Sequence, residues 1–210
     1  MYTDPVAAMV ETAQAEAGSR GLTNIHFKQC SGDDLPFADR TFDVAVGRLS
    51  AMFFVDPITA VREALRVIRE DGYVSFVVWG PEEANPFFST VADVIDRFVE
   101  VPRQDDPDAP DVFRFAVPGK LAGILKSAGA KNVIERQLNF QITAAISFDQ
   151  FWQLRTEMSG TLREKMAGLA PAQLPTIKQA VADAARRYFV SGTMSFPAEA
   201  LIVSGRKAAV

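Results

Sequence analysis

The sequence is poor in the groups from which many enzymes assemble a self-contained site. Its 210 residues include one cysteine, Cys30, and one histidine, His26. A single cysteine excludes an internal disulfide and fits a reducing compartment. One histidine offers no second candidate for a Ser-His-Asp arrangement, and no His/Cys/Asp constellation suggests the three or four ligands of a metal site. Basic residues are also in deficit: 22 Lys and Arg against 26 Asp and Glu give a net charge of −4 and a pI near 5.1. Such a chain presents no basic field to nucleic acid or to an anionic membrane. No apolar run approaches the ~20 residues of a membrane span, and residues 1–17 lack the basic start and apolar middle of a secretory signal. A cytoplasmic protein is expected, with no nucleic-acid partner and no membrane span. Internal repeats and low-complexity tracts are absent as well.

What is there is organised around residues 30–80. Residues 42–46 and 73–79 are short, mostly apolar runs bounded by polar turns, the pattern of parallel strands covered on both faces. Between them, Asp56 suits a helix N-cap and Pro57 the first helical position. Ile58, Val61, Ala64, Leu65 and Ile68 follow at helical spacing, with Arg66 and Arg69 in the last turn where the dipole favours cations. The stretch reads as a βαβ unit, which implies a right-handed crossover and a ligand crevice at the carboxyl ends of its strands.

Upstream, Thr3 or Asp4 is expected to cap a helix with Pro5 at its first position and Val6, Met9, Val10, Ala13 and Ala17 as its apolar stripe. No full strand is expected before Asp4; a short one is expected at 24–29. Downstream, helices are expected over 87–99 and from Pro118 to a C′ glycine at Gly129. Between these helices, residues 102–111 hold four aspartates and three prolines and read as a mobile loop. Leu138, Phe140 and Ile142 alternate with Gln137, Asn139 and Gln141, predicting a strand with one polar face. Ser147 and Gln150 form a capping-box pattern at the head of a helix. An amphipathic segment runs over 174–189, and a last strand is expected over 198–204. The expected architecture is α/β: an open sheet finished by an antiparallel pair, with a helical cap added late. A single domain over 1–210 is expected to divide into a cofactor-side βαβ half (1–80), a lid and late helix (81–131), and terminal strands (132–210) with a helical insert at 147–190.

Several motifs in this order resemble a class I S-adenosylmethionine-dependent methyltransferase of the ubiquinone- and menaquinone-type group. Asp4 with Met9 at the head of a helix resembles the segment whose acid takes the ribose hydroxyls. Asp33-Asp34-Leu35-Pro36-Phe37 followed by Thr41-Phe42-Asp43 resembles the acidic turn and the start of the central strand. Arg62-Glu63, Arg66-Val67-Ile68 and Gly72 resemble the helix and turn that follow, and Phe113-Arg114-Phe115-Ala116 with Pro118-Gly119 resembles a late loop. The resemblance implies a Rossmann-like sheet and methyl transfer from S-adenosylmethionine to a small, rather apolar acceptor.

One departure from the family stands out. None of the 13 glycines forms a G-x-G-x-G loop, the device that lets backbone amides approach a ligand closely. The chain therefore resembles a methyltransferase truncated at its N-terminal, glycine-rich side. Two strands are expected to be missing between those near Ile25 and Phe42, leaving apolar strand edges that invite a homo-oligomer. Ser31 stands where many relatives carry an acid for the adenine amino group, and the Gly32 amide is a second candidate for that contact.

The cofactor-binding candidates are Asp4, Ser31, Gly32, Asp33 and Arg48. Asp4 reads equally as a plain cap, and Asp33 as part of a solvated turn. Arg48 is also the one catalytic candidate, with pairing to a nearby carboxylate as its alternative. Phe53, Phe54, Trp79, Phe88, Phe113, Phe115 and Trp152 are candidates for an acceptor pocket, several of them on loops after strands; ordinary packing is their alternative. Against the enzyme stands a second expectation, a truncated and non-catalytic methyltransferase-like protein that self-associates or needs a partner chain.

Overall fold

The structure, a computed structural model, describes residues 1–99 and 106–208. Its central helix starts where side-chain chemistry dictates. Asp56 Oδ1 accepts hydrogen bonds from the Ile58 and Thr59 amides at 3.0 and 3.1 Å, and Oδ2 accepts from the Thr59 hydroxyl at 2.6 Å. These bonds satisfy amides that an uncapped helix would leave without partners. The helix α2 (Pro57–Val67) buries Ala60, Val61, Ala64, Leu65 and Val67 and joins two strands, β3 (Phe42–Arg48) and β4 (Ile68–Trp79), which pair in parallel. The expected βαβ unit is present. Its turn before the second strand becomes a bulge, where the register steps from Phe42↔Ile68 to Val44↔Tyr73.

Around this unit stand β1 (Tyr2–Asp4), α1 (Ala7–Ser19), β2 (Phe27–Gln29), α3 (Pro86–Ile95), α4 (Lys120–Ser127), β5 (Lys131–Ala144), α5 (Phe148–Met158), α6 (Gly160–Ala167), α7 (Leu174–Ala185), β6 (Phe189–Val190) and β7 (Thr193–Arg206). β1 and β2 form a parallel two-stranded sheet, and the larger sheet has the order β3-β4-β7-β5 with β6 on β7. β7 runs against β4, since the Gly80 amide bonds to the Glu199 carbonyl and the Lys207 amide to the Gly72 carbonyl. The β6–β7 hairpin turns through Ser191 and Gly192, both at positive φ (51° and 77°), as a two-residue type I′ turn requires.

The chain divides into two compact units. The first comprises Met1–Val78, Ala109–Arg136 and Leu201–Val210; the second comprises Trp79–Asp108 and Gln137–Ala200. Val61, Leu65, Ile68, Val74, Phe76, Leu121, Leu125 and Val203 are buried in the first. The second is helical and aromatic. Phe196, fully buried, stacks on Tyr188 and Phe151 with centroids 4.1 and 5.1 Å apart, inside a cluster that includes Phe87, Ile95, Ile177 and Val181. The Ser147–Gln150 capping box forms in both directions, at 3.2 and 2.9 Å.

Several expectations need correction. A strand does include Asp4: β1 forms with only three residues because β2 pairs with all of them, Tyr2↔Phe27, Thr3↔Lys28 and Asp4↔Gln29. Helix α1 consequently starts at Ala7, with Val6 as its cap residue, and not at Pro5. Its apolar stripe stays largely uncovered, with Val6 and Met9 more than half exposed and only Ala17 buried. β3 is not covered on both faces: Val44 is 49% and Val46 77% exposed. Its one strand partner among the described residues is β4, so its outer edge is free. Helix α4 begins at Lys120 rather than Pro118. The expected mobile loop lies outside the described residues up to position 105.

Candidate functional site

In the first unit, parallel pairing sets the carboxyl ends of β1 and β2 side by side. The Cys30 amide donates to the Asp4 carbonyl at 3.1 Å, so Ser31, two residues beyond Gln29 (the partner of Asp4), lies at the same end of the pair. Asp4 Oδ1 accepts from the Val6 amide at 2.8 Å. This is an Asx turn and not a helix cap, and no hydrogen bond engages Oδ2 among the described residues. The Ser31 hydroxyl donates to the Asp33 carboxylate, which fixes the acidic turn from within.

The same turn meets the aromatic loop after β3. A Cβ on Gly32 would lie 2.9 Å from Phe54 Cε1, so the ring occupies the space a side chain would need. Phe54 packs edge-on against Phe76 of β4, centroids 6.1 Å apart. Phe76 in turn presses on Gly47 of β3, where a Cβ would come within 2.5 Å of its ring. Gly32, Phe54, Phe76 and Gly47 thus form one continuous contact at the carboxyl end of β3.

Leu49, the next residue but one, has φ 55° while its amide bonds to the Val77 carbonyl at 2.8 Å. A leucine in the left-handed region costs about 1–2 kcal/mol, and such cost concentrates where loops are aimed for function. Arg48 is exposed and carries no ion pair or side-chain hydrogen bond among the described residues.

A later loop closes on the same place. Arg114 donates from its Nη1 to the Phe54 carbonyl at 2.5 Å and lies over the Phe115 ring at 5.3 Å. Phe115 is buried beneath it, Phe113 is half-buried, and Phe53 is more than half exposed. Leu49 and Phe76 were not site candidates from sequence, and Arg114 stood there only as part of a motif. The Phe-Arg-Phe pattern was visible, but only folding reveals that the arginine holds the Phe54 backbone.

The motif residues Glu63 and Arg66 have a different task. Arg66 reaches the Leu35 and Phe37 carbonyls at 2.8 and 2.7 Å, the Asp39 carboxylate at 2.8 Å, and both oxygens of Glu63 at 2.7 and 2.8 Å. Glu63 also accepts from the Leu35 amide at 3.0 Å. The Arg66 hydrogen bond, with the Leu35 amide, holds the Glu63 carboxyl below its usual range. These residues clamp the Leu35-Pro36-Phe37 segment onto α2, so the acidic turn is held from behind.

The remaining pocket candidates fall in the second unit. Trp79 meets Phe88 at 4.9 Å and Phe140 at 6.1 Å, and Trp152 packs on the cluster around Phe87 and Phe151. The seven aromatic candidates are therefore divided: Phe53, Phe54, Phe113 and Phe115 in the first unit, Trp79, Phe88 and Trp152 in the second. A depression of about 500 Å³ in the second unit is lined by Glu83, Asn139, Phe140, Gln141 and Tyr188, among others, and by none of the seven.

Two buried charges also lie in this unit. Glu199 is well provided for: Oε2 accepts from Gln137 at 2.6 Å, and its backbone is bonded to Asn85 through an amide at 3.0 Å and a carbonyl at 3.1 Å. Arg155 is not. It is 6% exposed, its Nε has no hydrogen-bond partner, and it joins no ion pair among the described residues. Its guanidinium lies over the rings of Phe87 and Phe88 at 5.0 and 4.9 Å. Burial pushes its pKa down to about 10. Dehydrating a buried ion costs several kcal/mol, and each aromatic face returns about 2 kcal/mol when desolvated.

Among the described residues no group of three or more His, Cys, Asp or Glu side chains is placed to hold a metal ion, and no helix is long and apolar enough to cross a membrane.

Residues 1–76 match the family described as "Methyltransferase domain". The chain is 36% identical over 97 residues to the uncharacterized methyltransferase YcgJ of Bacillus subtilis, an alignment covering 46% of this chain and 35% of that protein. It is 30% identical over 73 residues to the aklanonic acid methyltransferase DauC of a Streptomyces species, covering 35% and 33% respectively. The chain thus spans about a third of the length of the curated relatives it matches. The solved structure of Bacillus subtilis YcgJ superposes with a TM-score of 0.55 at 20% identity, over 99% of this chain and 82% of that one. The [4+2]-cyclase SpnF superposes at 0.52 with 18% identity, over 99% and 66%. These likenesses are of fold, a Rossmann-like methyltransferase sheet with helices, and a cyclase among them illustrates that fold alone does not name a reaction.

Proposed function

We propose that this chain, whose residues 1–76 match a methyltransferase domain, is a class I S-adenosylmethionine-dependent methyltransferase that holds the adenosine side of the cofactor and serves methyl transfer to a small, apolar acceptor. The observation that carries this reading is the convergence of Asp4, Ser31, Gly32 and Asp33 with the Phe54 ring at the carboxyl ends of β1, β2 and β3. Ligands of open α/β sheets bind outside those ends.

The residues present suit the adenosine moiety. Asp4 Oδ2 is available to accept from ribose hydroxyls, the Ser31–Asp33 turn offers acceptors to an exocyclic amine, and Phe54 supplies a flat apolar wall. S-adenosylmethionine, when bound, supplies a methyl group activated by its sulfonium. The chain's own residues bind, orient and exclude water. Arg48, exposed just beyond Gly47, is the charged group nearest in sequence to the strand end. Phe53, Phe54 and Phe113 supply apolar surface for the acceptor, and Phe115 supports Arg114 from beneath.

Calorimetry with S-adenosylhomocysteine tests the reading. Micromolar binding that Asp4→Asn weakens by about tenfold or more is expected; absence of binding overturns it.

A second reading rests on a separate observation. Val44 and Val46 of β3 are 49% and 77% exposed beside a free strand edge, and Val6 and Met9 of α1 are similarly bare. Free apolar edges favour strand pairing between chains, so self-association is proposed, with a non-catalytic, partner-dependent protein as the limiting case. Light scattering is expected to show a dimer or larger species, and a clean monomer at high concentration would count against it.

A further inference from the structure

The second unit holds a charge that its own fold does not answer. Arg155 sits on α5 at 6% exposure with its Nε orphaned, while Phe87 and Phe88 of α3 present their ring faces to its guanidinium. Several acids of the second unit have partners of their own: Asp96 pairs with Lys165, Asp149 with Lys178, and the Glu199 carboxylate with Gln137. Placement in the last turn of α5 gives Arg155 some support from the helix dipole. That support supplies no hydrogen-bond acceptor. A methionine would fill the same space without dehydrating a charge, so a buried guanidinium with an unpartnered Nε points to a ligand. Around it the wall is aromatic, since Phe88 also packs on Trp79 at 4.9 Å.

We propose that Arg155, flanked by Phe87 and Phe88, is the recognition group for the carboxylate of a small aromatic acid bound by the second unit. A carboxylate is the planar anion that a guanidinium fork binds through two parallel hydrogen bonds. The aromatic body of such an acid packs on the half-buried Phe88 ring. This anion site does not depend on the methyltransferase reading above.

The full chain carries its own reporter, because both tryptophans, Trp79 and Trp152, belong to the second unit. Tryptophan fluorescence is followed while the protein is titrated with benzoate and, separately, with benzamide, which has nearly the same shape and no charge. Wild-type protein is expected to bind benzoate at least about tenfold more tightly than benzamide. Arg155→Met is expected to bind the two equally, and Arg155→Lys to keep part of the preference. Equal affinities in the wild type, no saturable response to benzoate, or a preference that survives in Arg155→Met would each overturn the proposal.

Should Arg155→Met fail to fold, the Nε–Hε resonance of Arg155 in the wild type decides. Movement with benzoate but not with benzamide supports the site, and indifference to both overturns it. A parallel titration with S-adenosylhomocysteine keeps the two readings apart. Benzoate discrimination without nucleoside binding leaves the anion site standing and removes the methyltransferase reading. Nucleoside binding without benzoate discrimination removes the anion site alone.

Discussion

Each unit of the protein contains a largely covered arginine, and the two are held in opposite ways. In the first unit Arg66 places all five of its N–H donors on acceptors: two carbonyls, Asp39, and both oxygens of Glu63. In the second, Arg155 has two aromatic rings and no acceptor among the described residues. The difference separates a residue that holds structure together from one that the structure merely tolerates. Arg66 satisfies itself and its neighbours, so its clamp fixes the acidic turn on α2. Among the described residues, the aromatic unit around Arg155 would lose no hydrogen bond if the charge were removed.

The strongest way to probe the aromatic side of this contrast is to open its core. Phe196 is fully buried between Tyr188 and Phe151, and Phe196→Ala is expected to cost about 3–5 kcal/mol from lost transfer energy and the cavity left behind. Urea unfolding followed by tryptophan fluorescence measures it, and a cost below about 1 kcal/mol would mean that the cluster is not the core of that unit.

The arginine pair itself comes next. Arg66→Ala is expected to destabilise by about 2–3 kcal/mol, because it removes charge-assisted bonds and leaves Glu63 without its main partner. Arg155→Met is expected to fall within about 1 kcal/mol of wild type or to be more stable. Paired denaturation curves in one buffer check both. Comparable losses for the two variants would abolish the distinction drawn between them.

The smallest effect is a pH dependence. Arg66 and the Leu35 amide hold the folded Glu63 carboxyl below its usual range. Between that lowered value and the ordinary glutamate value of about 4.3 the unfolded chain binds more protons than the folded one, so stability rises with pH across this window. The contribution is therefore full above the ordinary value and is lost as pH falls through the lowered one. Glu63→Gln is expected to flatten the fall in urea midpoint between about pH 6 and pH 3, and an unchanged slope would exonerate the clamp.

Much of the fold was legible because the signals were local. Asp56 and Pro57 start α2, and Ser147 with Gln150 starts α5, since a cap needs only residues two or three positions away. The order of strands around α2 followed from two apolar runs and an amphipathic helix. The candidate site was legible only as a set of addresses. Asp4, Ser31 and Asp33 could be named, but their proximity depends on β1 pairing with β2. That pairing was itself missed, because three residues carry too little pattern to declare a strand. The aromatic candidates were named as one group, and the structure assigns them to two units.

By itself, the sequence determined where α2 and α5 begin, which face α2 buries, and that an α/β sheet with a late helical portion would form. These outcomes rest on capping bonds, period and burial within single elements. Only tertiary structure decided which residues have partners. It put the Phe54 ring on Gly32, aimed the chain after β3 through a left-handed Leu49, gave Arg66 an acceptor for every N–H, and gave Arg155 two aromatic rings and no acceptor among the described residues. The reason is physical: a charge's environment is made by segments distant in sequence, and no local pattern records whether they bring an acceptor or a ring.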